Sequence, residues 1–389
     1  MMRPVRFTAN NDVKLLQCGA EFFPALLAEI DAADSEIYLE TYIFADDETG
    51  SLVKLALMRA AQRGVTVNVI VDWIGTGHRP AEKLKAEFLA AKVHFRVFNP
   101  WFSRGIARTH RKICVIDGEM ALLGGLNIND DYYSDDNARV PLPAARWDIA
   151  ASVTGPLVEV IHKEAESQWR RLGPLKLARH WESFRIRRAK PPVEGHGPMQ
   201  AGLVVRDNLR NRRTIQRAYL KALGGARHKA LLANPYFAPG RKLRTALSRA
   251  AERGVEVTLL LGVGQFRMQD TVAQSFYPKL LKNGVKIVEY RKTQLHAKVA
   301  VVDDDWATLG SSNYDGLSLF VNQEANIVVK DVAFSAALRC HIEAAVADGT
   351  PVNPLDYANI PWYLRVWYGI AYLVYRSLLK VITMGRGSE

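Results

Sequence analysis

The sequence predicts an α/β fold made of two pseudo-symmetric domains, with a site shared at their interface. Three observations carry this expectation. The chain contains an internal duplication. Within each copy, short β-rich apolar runs alternate with helical patterns, the signature of α/β units. Each copy then closes on the same spaced set of His, Lys, Asp, Gly and Asn. With 389 residues there is room for two ordinary domains, and 48% hydrophobic with 24% charged residues is a folded composition, which excludes a disordered chain.

Taken in order, Ser35-EIYLETYIF-Ala45 reads as a buried strand, followed by a helical pattern that ends in Ala60-AQRGVTVNVIV-Val71. The second copy repeats this as His228-KALLANPYF-Ala238 and Ala250-AERGVEVTLLL-Leu261. In both, a helix ends, Gly64 or Gly254 supplies a left-handed cap, and a β-branched strand begins. Leu89-AAKVHFRVF-Asn99 and Leu280-LKNGVKIVEY-Arg291 match as helix end, turn and strand. The alternation predicts a largely parallel sheet in each half. The domains are expected at 1–172 and 201–350, joined by a basic, Pro- and Gly-containing linker at 173–200 and followed by a membrane-associating segment at 351–389.

A net charge of +12 favours anionic partners without choosing among nucleic acid, acidic lipid and phosphorylated substrates. Cys18, Cys114 and Cys340 are too few and too widely spaced for a disulfide framework or a zinc site. The N-terminus has no apolar run of signal-peptide length. The long apolar-aromatic stretch is Pro361 to Met384, interrupted by Arg365, Arg376 and Lys380. It reads as a helix lying in the membrane interface with a basic face toward anionic head groups. The competing readings are a helix docked on the protein and a helix that spans the bilayer.

The chemistry sits in two motifs of identical spacing, His110-x-Lys112-x4-Asp117-x6-Gly124-Gly125-x-Asn127 and His296-x-Lys298-x4-Asp303-x6-Gly310-Ser311-x-Asn313. On a strand, residues i and i+2 share a face, so each His and Lys project together. A phosphodiester reaction needs one imidazole to attack phosphorus and a second to move the proton of the leaving and incoming alcohols. Lys112, Lys298, Asn127 and Asn313 can hold charge on the equatorial oxygens, and the small residues Gly125 and Ser311 let backbone approach a phosphate. This set needs no metal and no cofactor. Asp117 and Asp303, placed just after a strand, read as turn-formers.

These motifs resemble the paired HKD signatures of the phospholipase D superfamily, and the likeness runs from about residue 12 to 350. Within it, the phrases LETYIF, THRKICVIDGEMALLGGLN, LHAKVAVVDDDWATLGSSNYD and LSLFVNQEANIVV are most similar to bacterial cardiolipin synthases of the short type, which lack N-terminal membrane helices. The resemblance implies two phospholipase D-like α/β domains and a catalytic set of His110, Lys112, Asp117, His296, Lys298 and Asp303. It implies His110 as nucleophile and His296 as general acid/base. It also implies a downstream carboxylate orienting each histidine, Asp148 for the first motif and Glu324 for the second. The implied reaction is phosphatidyl transfer between two phosphatidylglycerol molecules on the cytoplasmic face of the bacterial membrane, with no nucleic-acid partner. A hydrolase with the same residues, acting on lipid or nucleic acid, and a membrane-surface binding protein without catalysis stay as rivals. Oligomeric state is left open. Glu40 and Tyr236 are candidate pocket residues, and the loops Asp72-WIGTGHRP-Pro80 and Gln265 to Asp270 are candidates for substrate selection. Gln323 departs from the apolar residue usual in the relatives.

Overall fold

The computed structural model describes residues 5–134, 140–173, 195–207, 211–316, 321–358 and 361–383. The first half runs β1 (Thr8–Gln17), α1 (Cys18–Ala32), β2 (Glu36–Thr41), α2 (Glu48–Gln62), β3 (Thr66–Asp72), α3 (Trp73–Thr76), α4 (His78–Ala90), β4 (His94–Phe98), β5 (Ser103–Ile106), β6 (Ile113–Ile116), β7 (Met120–Gly124), β8 (Ile149–Thr154) and α5 (Leu157–Leu172). The second half runs β9 (Met199–Arg206), α6 (Thr214–Gly225), β10 (Lys229–Asn234), α7 (Arg241–Glu252), β11 (Glu256–Gly262), α8 (Arg267–Gln274), α9 (Tyr277–Lys282), β12 (Lys286–Tyr290), β13 (Val299–Val302), β14 (Trp306–Gly310), β15 (Glu324–Lys330) and α10 (Val332–Ala347). The chain continues through β16 (Thr350–Pro351), α11 (Pro354–Ala358) and α12 (Trp362–Thr383).

The two copies form one continuous sheet in the order β16-β12-β11-β10-β13-β14-β15-β9-β1-β8-β7-β6-β2-β3-β4. The seam is β1 against β9, antiparallel, with Thr8 opposite Ala201. The expectation of largely parallel halves needs correction. Parallel pairing is confined to β2-β3-β4 and β10-β11-β12. The motif strands β6 and β13 run antiparallel to both neighbours. The reason is connection length: β6-β7 and β13-β14 are joined by tight turns, which only antiparallel pairs allow.

Gly64 and Gly254 adopt φ of 98° and 91° at the helix-to-strand turns, the left-handed conformation their repeated phrase requires. Helices α1, α2 and α4 cover one face of the first half around Leu26, Leu57 and Phe88. Helices α6, α7 and α9 cover the second around Tyr219, Leu247 and Leu280. Between them, α5 and α10 share one core with strands of both halves, including Ile161, Leu338, Ile149 and Ile327. That shared core fixes the halves against each other and so fixes the site between them.

Most of the expected linker, residues 174–194, lies outside the described residues, and β9 begins at Met199. The C-terminal stretch departs from the expected separate segment. Helix α12 docks on the second half: Ala371, Tyr372 and Tyr375 pack on its core, the Tyr372 ring meets Phe276 at 5.5 Å, and Gly316 N–H donates to the Tyr375 hydroxyl at 2.8 Å. Its outward face exposes Tyr363, Val366, Trp367, Ile370, Leu373 and Val374. The side chains of Arg365, Arg376 and Lys380, on which the expected basic face rests, lie outside the described residues. No helix among the described residues is long and apolar enough to cross a membrane.

Candidate active site

Both histidines lie in the extended segments that lead into β6 and β13, and both are buried. Each segment runs beside the other half. The His110 N–H donates to Gln323 O at 2.9 Å, and the His296 N–H donates to Trp147 O at 2.9 Å. Gln323 and Trp147 immediately precede the two carboxylates, so this pairing delivers each carboxylate to the opposite histidine. His110 Nδ1 lies 3.1 Å from Glu324 Oε2, and His296 Nδ1 lies 2.5 Å from Asp148 Oδ2. The expected pairing of Asp148 with the first motif and Glu324 with the second is therefore reversed. Sequence order suggested a carboxylate within each half, whereas the backbone ladder across the interface crosses them over.

His110 Nδ1 also meets the Ser311 carbonyl at 3.0 Å. A carbonyl only accepts, so Nδ1 carries the proton and Nε2 keeps its lone pair. Burial holds the His110 imidazole below its ordinary pKa, as do the ammonium groups of Lys112 and Lys298, while Glu324 pulls the other way. Burial pushes the Glu324 carboxyl up, but His110, Lys112 and the Ser311 hydroxyl outweigh it and hold it low. Asp148 follows the same pattern, with burial outweighed by His296, Lys298 and the Ile149 amide. Both carboxylates therefore stay ionised at neutral pH, each beside one imidazole.

Lys112 Nζ donates to the carbonyl of His110 at 2.9 Å, and Lys298 Nζ donates to that of His296. Each lysine is thus tied to the turn of chain carrying its own histidine. Asn127 Oδ1 accepts from Ile43 N–H at 3.3 Å, which leaves its amide nitrogen as the donor for an anion. Asn313 Oδ1 is buried with no hydrogen-bond partner. Gly125 and Ser311, expected at the phosphate, sit against the carboxylates instead. A Cβ on Gly125 would meet Asp148 Oδ1 at 2.2 Å, so only glycine lets that short carboxylate pass. Ser311 Oγ donates to Glu324 Oε2 at 2.5 Å. The Gly-Gly and Gly-Ser tails thus match a shorter and a longer acid.

Asp117 and Asp303, grouped with the catalytic set by resemblance, lie at the far ends of β6 and β13. Asp117 accepts from the amides of Asp34, Ser35 and Glu36 and from the Ser35 hydroxyl, and Asp303 from the amides of Arg227, His228 and Lys229. They staple the motif strands to the starts of β2 and β10 and touch neither histidine.

Glu40, expected as a pocket residue, is buried. Its Oε1 accepts from the Thr109 hydroxyl and, at 3.4 Å, from Gln168, beneath the backbone of His110. Tyr236 is half-buried, its hydroxyl 3.3 Å from Gln265 Oε1, which keeps it with the second-half loop. Asp72 is buried, and its Oδ2 accepts from Thr109 N–H at 2.9 Å. Burial raises its carboxyl to about 6, against backbone amides that lower it. It ties the first-half loop to Thr109, the residue before His110. Sequence reading missed Tyr42, whose ring centre lies 5.0 Å from that of His110 in an edge-to-face arrangement and 5.3 Å from Lys112 Nζ. The signal was available: Tyr42 stands two residues after Glu40 at the end of the same strand.

A duplicated α/β fold in which two histidines are each held by the other half's carboxylate defines a phosphodiester-transfer protein of the phospholipase D type. A family model described as the cardiolipin synthase, phospholipase D-like domain matches residues 26–140 and 219–346. Cardiolipin synthase B of Salmonella typhi is 36% identical over 370 residues, 93% of this chain and 86% of that protein. Cardiolipin synthase B of Escherichia coli (strain K12) is 36% identical over 369 residues, with the same coverage. The chain belongs to the cardiolipin synthase family of phospholipase D-like proteins. In fold it is similar to the crystal structure of phosphatidylserine synthase from Haemophilus influenzae Rd KW20, with a TM-score of 0.70, 15% identity, and coverage of 98% and 97% of the two chains.

Proposed function

We propose that the protein is a cardiolipin synthase that moves a phosphatidyl group from one phosphatidylglycerol to another. The observation that carries this is the crossed pair of carboxylate-held histidines, set in a chain that shares 36% identity with cardiolipin synthase B over nearly its whole length. His110 Nε2 attacks the donor's phosphorus. A P–N bond forms, the P–O bond to glycerol breaks, and the His296 imidazolium gives its proton to the departing oxygen. The glycerol hydroxyl of the second phosphatidylglycerol then gives its proton to His296 and attacks phosphorus, and the P–N bond breaks. Two phosphatidylglycerols become cardiolipin and glycerol, with no water consumed. Lys112, Lys298 and the two asparagines stabilise the charge that builds on the equatorial oxygens. The ionised Asp148 and Glu324 fix the tautomers and support the imidazolium.

The substrates set the place of work, the cytoplasmic face of the bacterial membrane, with the protein peripheral to it. The exposed apolar face of α12 supports this reading, as does an exposed first-half knob in which Trp101 and Phe102 stack with Trp73 at 5.3 Å and 5.4 Å. The test is product analysis with phosphatidylglycerol vesicles. Cardiolipin and glycerol in equal amounts are expected; phosphatidic acid alone would make the protein a hydrolase.

A further inference from the structure

A cavity of about 780 Å³ lies outside both motifs, between α7, α9, α11 and α12. Its walls are apolar and aromatic, from Phe276, Leu281, Tyr357, Tyr368 and Tyr372. That volume is in the range of sites that hold small ligands. Among the described residues, two cations stand on its lining, Arg244 and Lys282, and no acidic residue does. Arg244 makes no ion pair among the described residues. Its guanidinium lies over the Phe276 ring at 4.5 Å and the Tyr372 ring at 6.0 Å, and its buried Nε has no hydrogen-bond partner. An arginine braced by two rings, with a donor to spare and no ion pair among the described residues, is prepared for an anion. The apolar walls are prepared for a hydrocarbon chain. At the mouth, Leu355 is 70% exposed, and Ile370 and Leu373 lie on the outward face of α12, so the groove continues into an exposed apolar surface.

We infer that this groove binds an anionic phospholipid as an accessory site, with one acyl chain along Tyr357, Tyr368 and Tyr372 and the phosphate on Arg244 and Lys282. The two cations set this occupant apart from a neutral lipid, and a volume of about 780 Å³ sets it apart from simple contact with a bilayer. Such a site would hold the protein on the anionic lipids it acts upon without entering the chemistry. The inference rests on the lipid-enzyme reading given above.

The test uses the full chain and phosphatidylglycerol carrying a photoreactive group in one acyl chain, diluted in phosphatidylcholine vesicles. Label is expected, read residue by residue, on Tyr357, Tyr368 and Tyr372. Unlabelled phosphatidylglycerol should compete and phosphatidylcholine should not. Arg244→Gln, which removes a charged hydrogen bond to phosphate, should lower that label about tenfold. Because Arg244 also stacks on α12, a second variant is needed. A Cβ on Gly369 meets nothing within 4 Å, so Gly369→Trp can fill the groove without a backbone clash, and it should lower the label to a similar degree. Both variants should turn over a short-chain soluble diester at the wild-type rate. Label confined to Val366, Ile370 and Leu373 would reduce the site to a surface contact and overturn the inference. So would label that survives both variants, or equal competition by phosphatidylcholine. Cardiolipin formation by the wild type in the same vesicles separates the two readings. Cardiolipin without groove label removes the accessory site alone, and groove label without cardiolipin removes the proposed activity alone.

Discussion

Beneath His110 the structure is polar, and beneath His296 it is apolar. On the first side, the Glu40 carboxylate, the Thr109 hydroxyl, Arg111, Gln168 and Gln323 form a buried layer. Gln168 Nε2 donates to Gln323 Oε1 at 2.6 Å, and Arg111 donates to Glu164 at 2.9 Å. The second half puts apolar side chains in the matching places. Ala233 stands opposite Val299 as Glu40 stands opposite Ile113. Leu295 and Ala297 flank His296 as Thr109 and Arg111 flank His110, and Trp147 bridges to Leu295 as Gln323 bridges to Thr109. Ala233, Leu295, Ala297, Val299 and Trp147 all belong to one hydrophobic core, together with Tyr290. The duplication thus kept the reacting shell alike and let the supporting layer diverge. A dry apolar layer supplies stability without specific partners, whereas a buried charged layer holds one arrangement at a desolvation cost. The comparison teaches that the two histidines are chemically similar but supported differently, which is a physical ground for unequal roles.

The largest expected effect tests that inequality directly. His110→Asn and His296→Asn should each lower turnover of a soluble diester by about 10⁴-fold or more, and the double variant should be little worse than either, because the pair acts as a unit. The distinction is in trapping. Quench of the His296→Asn protein in alkaline denaturant with labelled substrate, conditions under which a P–N bond survives, should show phosphohistidine on His110. Label found on His296 in the reciprocal variant, and none on His110, would reverse the assignment of roles. Turnover should persist in EDTA with the soluble substrate; loss of activity restored by a divalent ion would sink the metal-free mechanism.

The supporting layers should break differently. Arg111 is fully buried, with Nε and Nη2 lacking partners, and Glu40 Oε2 lacks one too. Burial raises the Glu40 carboxyl, and Arg111 is the main influence opposing it. Arg111→Ala leaves Glu40 buried without the cation that opposes its burial and takes Glu164's partner away, so it should cost about 3–5 kcal/mol of unfolding free energy, whereas Glu40→Ala, which leaves Arg111 bonded to Glu164, should cost less. The pair Glu40→Ala with Arg111→Ala copies Ala233 and Ala297 of the second half and should recover much of that loss. Denaturant unfolding of the full chain measures both. If the double variant is as unstable as the sum of the singles, the layer is not held by the Glu40 and Arg111 charges acting together.

Much of the site was legible in the sequence, because identical spacing of His, Lys and Asn in a duplicated chain has few physical readings. The helix-to-strand turns at Gly64 and Gly254 were legible for a similar reason: a left-handed cap has a residue signature. What was not legible depends on contacts between halves. Asp148 and Glu324 were found as carboxylates but assigned to the wrong histidines, since register across an interface leaves no mark in sequence order. Arg111 and Gln168 were not singled out, as a buried charge looks like a surface one until its neighbours are known. The parallel expectation for β6 and β13 failed because alternation of strand and helix was extended past the helical connections into tight turns. For α12, composition gave an amphipathic helix, and the structure showed which stripe meets the protein.

The crossed carboxylates give a smaller effect that separates crossed from uncrossed pairing. Glu324→Gln and Asp148→Asn should each lower turnover by about 10²-fold, through loss of tautomer control and of support for the imidazolium. With crossed pairing, Glu324→Gln should slow formation of the phosphohistidine, as a weakened His110 does. Asp148→Asn should slow proton transfer to the leaving alcohol and lose its effect on substrates with a good leaving group. Rapid-quench kinetics with two leaving groups reads the difference. If Asp148→Asn were the variant insensitive to leaving group and Glu324→Gln the sensitive one, the functional pairing would follow sequence order despite the geometry.

The smallest expected effect concerns a place where the halves agree. Asp117 and Asp303 sit at φ of 54° and 49°, a left-handed conformation that Asp tolerates better than most residues. Burial pushes each carboxyl up, but the amides it accepts from outweigh that and hold it below its ordinary range. A carboxyl with a depressed folded-state pKa adds stability above its ordinary value of about 4 and loses it as pH falls through the lower folded value. Asp117→Asn and Asp303→Asn should therefore each cost about 1 kcal/mol at neutral pH, an amount set by the lost charged hydrogen bonds. The gap from wild type should narrow as pH drops below about 4, where the wild-type carboxyls become neutral as well. Asp117 also accepts from the Ser35 hydroxyl at 2.7 Å, so its loss should be slightly the larger. Turnover of the folded variants should stay near wild type, since neither aspartate touches His110 or His296. A deep loss of turnover in protein that unfolds normally would return these residues to the catalytic set, and a gap independent of pH would remove the staple as its cause.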